Sequence, residues 1–165
     1  MNWTVYGFQI GLLLVLFGAV VAGGMTKDPV SFVSDYPPEI QAAYYASQHR
    51  ERPKTQFTKK ELARKGIALL AGLFLMAWMA HAVGAEGYGQ GCLTAFSYIA
   101  AVTAFDTFVL DWIFFPRVKR WRLPGTEQMD AAYAQKAFHV KVVLQIAPMF
   151  LIYALLAGGV MVLIF

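Results

Sequence analysis

The chain has 165 residues, 58% of them hydrophobic, and a formal net charge of +4. A soluble domain is about 45–50% apolar. Here the excess falls in four blocks of about 20 residues, each long enough to cross a hydrocarbon core, so a single all-α membrane domain of four transmembrane helices is expected. The one cysteine, Cys92, excludes an internal disulfide and a CxxC redox pair. The charges flank hydrophobic blocks and no base-reading or stacking module is present, so nucleic acid is excluded as the partner of the basic balance.

The first span is expected at 5–23. No Lys or Arg precedes it, unlike the positive start of a signal peptide, so it reads as an uncleaved helix. Gly7 and Gly11 form a GxxxG pair with Gly18 on nearly the same face, which would let a second copy approach closely as a homodimer. Residues 24–61 form a first long loop. Asp35-Tyr36-Pro37-Pro38 interrupts regular structure there. A short surface helix is expected over 39–48, with Ile40, Ala43 and Tyr44 on one side. The second span is expected at 62–83, with Arg64 and Lys65 at its start and His81 near its end. The glycine-rich link 84–91 joins it to a third span at 92–115.

Directly after the third span comes a basic run. Arg117, Lys119, Arg120 and Arg122 are candidates for phosphate or anionic-lipid contacts, each worth about 1 kcal/mol near a charged bilayer surface. Thr126 is the expected N-cap of a helix that runs through Glu127, Asp130 and His139 toward the last span at 142–164. Pro148 should kink that span. All fourteen Lys and Arg lie between 27 and 65 or between 117 and 141, on the same side of a four-span chain. Positive loops stay in the cytoplasm, so both termini are expected outside, with loops 24–61 and 116–141 inside.

The third span holds two aspartates. An ionisable group at the centre of a bilayer helix costs roughly 2.5–3.5 kcal/mol and usually has a partner or a task. On an α-helix at about 100° per residue, Thr103, Asp106, Thr107 and Asp111 share one arc, with Asp111 about 140° from Asp106. Asp111 lies near the inner interface, where His139 or Arg64 is the expected partner. Asp106 lies about 7.5 Å deeper, at the level of Gln145 or of a water. Thr103, Asp106, Thr107, Asp111, His139 and Gln145 are therefore the candidate proton, ion or ligand residues. A metal is not expected. Asp111, Glu127, Asp130 and His139 are acceptable ligands, but a continuous 127–139 helix would hold its ends about 18 Å apart. No cofactor is expected either: CxxCH, HExxH, GxSxG and a phosphate-cradling glycine loop are all missing.

Asp106, Leu110-Asp111-Trp112, Arg122-Leu123-Pro124-Gly125-Thr126-Glu127, Asp130, Tyr133 and His139, in that order, form a pattern over the last 60 or so residues. It resembles a group of small bacterial membrane proteins with four spans and no known activity. The resemblance implies the four-span architecture and a bacterial inner (cytoplasmic) membrane, and carries over no catalytic role. Three functions stay open on the residues alone. One is a transporter or channel subunit for a small solute or ion, using Asp106. Another is a membrane enzyme acting on a lipid or isoprenoid at the cytoplasmic leaflet, using Asp111, His139 and the basic run. The third is a non-catalytic accessory subunit whose loops recruit a partner.

Overall fold

The computed structural model describes residues 1–51 and 58–165. Those residues are helical, with no strand among them. Four stretches are long and apolar enough to cross a membrane: Trp3–Lys27, Lys59–Ala82, Gly87–Arg117 and Asp130–Ile164.

Local chemistry sets the ends. Helix α1 (Trp3–Lys27) starts where the Asn2 side chain accepts the N–H groups of Thr4 and Val5, both at 3.1 Å. A short 3-10 turn follows at Pro29–Asp35, and α2 (Pro38–Ser47) begins on a proline, whose missing N–H costs nothing in a first turn. Helix α3 (Lys59–Ala82) opens three residues before the expected span. Thr58 and Glu61 form a reciprocal capping box there, a Thr-x-x-Glu signal that was legible in the sequence. Helix α4 (Gly87–Phe105) passes directly into a π-helical segment at Asp106–Phe114 and a final turn, α5 (Phe115–Arg117).

The expected 127–139 helix is broken. Helix α6 covers only Asp130–Tyr133, and α7 (Lys136–Ile164) starts after a break at Ala134 and Gln135. Thr126 is not an N-cap; Met129 holds that position. The Thr126 hydroxyl is committed elsewhere, donating to the Leu123 carbonyl at 2.8 Å and lying 2.7 Å from the Tyr133 hydroxyl. Tyr133 also accepts the Leu123 N–H at 2.9 Å. A buried phenol held this way fixes Tyr133 inward and closes the 123–133 loop on itself.

The described residues cluster into two compact units. One comprises residues 1–13, 58–102 and 145–165. Its contacts run through small side chains: Ala77, Ala80 and Ala85 with Met161, and Ala95 with Ala154 and Ala157. A Cβ added at Gly91 would meet Met161 at 2.9 Å and the Gly158 backbone at 3.2 Å. Close approach of this kind is how helices pack where lipid removes the hydrophobic drive. Polar groups are tied across helices: Tyr6 donates to Ser97 at 2.7 Å, Tyr98 to the Gln9 amide oxygen, and Tyr153 to the Leu69 carbonyl at 2.8 Å.

The other unit comprises residues 14–51 and 103–144 and has a different core. Tyr36, Ile40, Leu123 and Tyr133 are fully buried, with Met25, Leu110, Phe115 and Trp121 around them. The segments expected as loops thus fold on each other. Tyr36 donates its hydroxyl to the Trp121 carbonyl and packs on the Phe115 ring at 5.1 Å. The Trp121 indole donates to Thr26 at 2.9 Å. The side of α2 carrying Ile40 is buried in this core, which makes α2 a packing element rather than a free surface helix. At the tip of the 123–133 loop, Gly125 has φ +81°, and an added Cβ would meet the Ser47 side chain at 2.5 Å. Gly125→Ala should therefore lower stability by about 1–3 kcal/mol, read as a shift in thermal unfolding in detergent. An unchanged midpoint would mean that this loop does not dock as described.

Candidate functional site

The site is built on the π-helical segment. In an α-helix the Trp112 carbonyl would look to the N–H of residue 116, and Pro116 has none. Two observations relieve this. The segment takes the wider i→i+5 bonding, seen where the Phe115 N–H reaches the Leu110 carbonyl. The Arg117 guanidinium donates to the Ile113 carbonyl at 3.0 Å. A local π turn also changes which side chains meet. The angle between residues five apart is smaller there than the roughly 140° of an α-helix. Asp111 is thereby turned toward the side of Asp106, on which its charge acts.

Asp111 meets His139, the first residue of α7 to point into this core. Its carboxylate accepts from the His139 Nδ1 at 2.9 Å, with the His139 side chain 7% exposed and that of Asp111 23%. Of the two partners expected for Asp111, the structure gives the histidine. The Phe115 and Phe138 rings stand edge-on to the imidazole at 5.4 and 5.2 Å and hold it in place. The remaining ring nitrogen, Nε2, is buried without a hydrogen-bond partner among the described residues. So are the Thr107 hydroxyl and the Trp112 indole N–H. Lys136, in the first turn of α7, lies over the Trp112 ring at 5.0 Å. The charges of Asp111, His139 and Asp35 all act on Asp106, which is half-buried.

Asp35 is a member that no sequence pattern singled out. It ends the 3-10 turn and keeps an exposed edge, while its neighbour Tyr36 is sealed in the core. Burial raises its carboxyl above the ordinary range; the Ser34 hydroxyl at 3.1 Å partly offsets this, and the Asp111 charge adds to it. The only sequence cue was its place directly before a buried Tyr-Pro-Pro. Burial likewise raises the Tyr36 phenol, so it remains a neutral donor to Trp121.

The other candidates divide. Thr103 is half-buried on α4, and Gln145 is exposed on α7 with no side-chain hydrogen bond among the described residues. Arg117, Lys119 and Arg120 are exposed. Arg122 parts company with them. Its side chain is 7% exposed, pairs with Asp130 at 2.5 Å, lies over the Tyr133 ring at 4.9 Å, and donates to the carbonyls of Glu127 and Pro116. It braces the loop and is not free for a lipid phosphate. Glu127 accepts the Gly125 N–H at 3.0 Å. Asp111 and His139 thus pair with each other while Glu127 and Asp130 serve the 123–133 loop, and no three His, Cys, Asp or Glu among the described residues are placed to hold a metal ion.

Compared with protein families, curated proteins and solved structures, the chain matches none. The class rests on its own features: a multi-pass helical membrane protein with four membrane-length helices and a carboxylate–histidine pair on a π turn of the third.

Proposed function

We propose that the chain is a transporter or channel subunit of the bacterial inner membrane and that the species it moves is a proton. Asp106 is the exchanging carboxylate, and the Asp111–His139 pair is its neighbour on the route. The observation behind this reading is the sealed imidazole. One ring nitrogen engages Asp111 and the other is buried and unpartnered, one π turn along from Asp106. A histidine so placed accepts a proton at one nitrogen and releases it at the other. Such burial suits a proton and excludes a lipid headgroup, which ranks this reading above an enzyme of lipid or isoprenoid. The enzyme reading keeps one supporting observation, since an Asp-held imidazole with a free Nε2 has the form of a general base.

The one-sided placement of Lys and Arg supports both termini outside. Arg117, Lys119 and Arg120 then meet anionic lipid at the cytoplasmic face. Among the described residues nothing lies within 4 Å of a Cβ added at Gly7 or Gly11, which supports their use in a homodimer.

Reconstituted in liposomes under an imposed pH gradient, wild type should carry proton flux, and Asp106→Asn should reduce it by at least about tenfold. Equal, substantial flux in both would remove Asp106 from the mechanism.

A further inference from the structure

The carboxylate and histidine of the third and fourth spans are largely shut from solvent, so a proton needs a group that reaches both water and the buried pair. At the rim of the aromatic core, among the described residues, Asp35 is placed for this, because its neighbour Tyr36 is held in that core. Tyr36 packs against Phe115, at 5.1 Å, and Tyr133, at 6.1 Å, two rings that also meet each other at 5.3 Å, and Phe115 in turn touches the His139 ring at 5.4 Å. This ring series anchors the end of the 3-10 turn beside the buried pair and leaves Asp35 at its rim, with an exposed edge. No Lys, Arg or His lies within ion-pair distance of Asp35 among the described residues; its one hydrogen bond is from Ser34. The titratable groups whose fields reach it or its neighbour Tyr36 are Asp111 and Asp106 from the π segment and Tyr133 from α6.

We propose that Asp35 is the intake carboxylate of the route, exchanging protons between water on the basic side of the protein and the buried Asp111–His139 pair. The step balances simply. Asp35 takes a proton from water and becomes a neutral acid. It then yields that O–H proton, over hydrogen-bonded water, to the Asp111–His139 pair and returns to a carboxylate ready for the next. An unpaired carboxylate suits this, because a fixed cation beside it would hold it ionised. Burial and the Asp111 charge both raise its carboxyl above the ordinary carboxylate range, which favours the neutral acid that the step needs.

The proposal rests on the proton-transport reading above, and its test separates the two. Full-length wild type, Asp35→Asn, Asp35→Glu and Asp106→Asn are compared in liposomes under a pH gradient. Asp35→Asn should slow flux by at least about tenfold, and Asp35→Glu, which restores an ionisable group, should stay within about threefold of wild type. A carboxyl infrared titration supplies a readout that does not depend on transport. The Asp35 signal, taken as the difference between wild type and Asp35→Asn, should move to lower pH in Asp111→Asn, because a like charge has gone. Flux lost in Asp106→Asn but intact in Asp35→Asn would overturn the intake role alone. An Asp35 titration indifferent to Asp111→Asn would overturn the link between them. Wild type without proton flux would overturn the transport reading and the intake role with it.

Discussion

Tyr36→Ala should lower the stability of the protein by about 3–5 kcal/mol, the range for truncating a large aromatic in a packed core. The side chain is fully buried, packs against Phe115 at a tilt and edge-on to Tyr133, and donates to the Trp121 carbonyl. Removing it opens a cavity among all three and strips a donor from a buried acceptor. Tyr36→Phe isolates the second effect and should cost only about 1–3 kcal/mol. The measurement is unfolding in mixed micelles by titration with a denaturing detergent, followed by tryptophan fluorescence. Trp121 sits in the same core and reports on it directly. A Tyr36→Ala loss below about 1 kcal/mol would mean that the two loops do not share a core.

His139→Ala should both destabilise the protein and stop flux. Removing one partner of a fully buried pair costs about 3–5 kcal/mol, because the other charge is left without compensation. The Asp111 side chain keeps 23% exposure, so a cost of about 2–4 kcal/mol is expected here. Asp111→Asn together with His139→Ala should recover part of that loss, since no unpaired carboxylate remains. This non-additivity in a double-mutant cycle is the signature of a direct pair. Flux should fall by at least about tenfold in both single variants. Additive stability losses would show that the two side chains do not meet, whatever the flux. A His139→Ala protein that conducts like wild type would take the imidazole out of the route.

How much of this was legible in the sequence differs between the spans and the site. Four apolar blocks define four membrane-length helices because a helix needs a fixed number of apolar residues to cross a fixed thickness of lipid. That argument requires no knowledge of neighbours. Helix ends were less secure, although the Thr58–Glu61 box and the Asn2 cap were both written in local residue chemistry. The pairing of Asp111 with His139 was also within reach, from depth alone, as one of two options.

The rest depended on tertiary contacts. The sequence treated the third span as an α-helix and so put Asp111 about 140° from Asp106. The π turn at Asp106–Phe114 narrows that angle, and its wider bonding was not visible in an apolar pattern with a proline at its end. Arg122 looked like a fourth surface cation. Only the fold gives it Asp130, Tyr133 and two carbonyls, because those partners are assembled by a loop that closes on Tyr133. The same closure broke the expected 127–139 helix, since a phenol held by Leu123 and Thr126 outweighs the gain from continuing a helix through two residues. Asp35 was hidden for a related reason. A carboxylate in a loop has no period and no nearby partner, and its place beside the buried pair exists only once Tyr36 is packed against Phe115 and Tyr133. The sequence by itself determined that this chain has four membrane-length helices with acid in the third, because hydrophobic length is a local quantity. Only the tertiary structure decided which groups the acid meets, because that depends on how loops far apart in sequence close around an aromatic core.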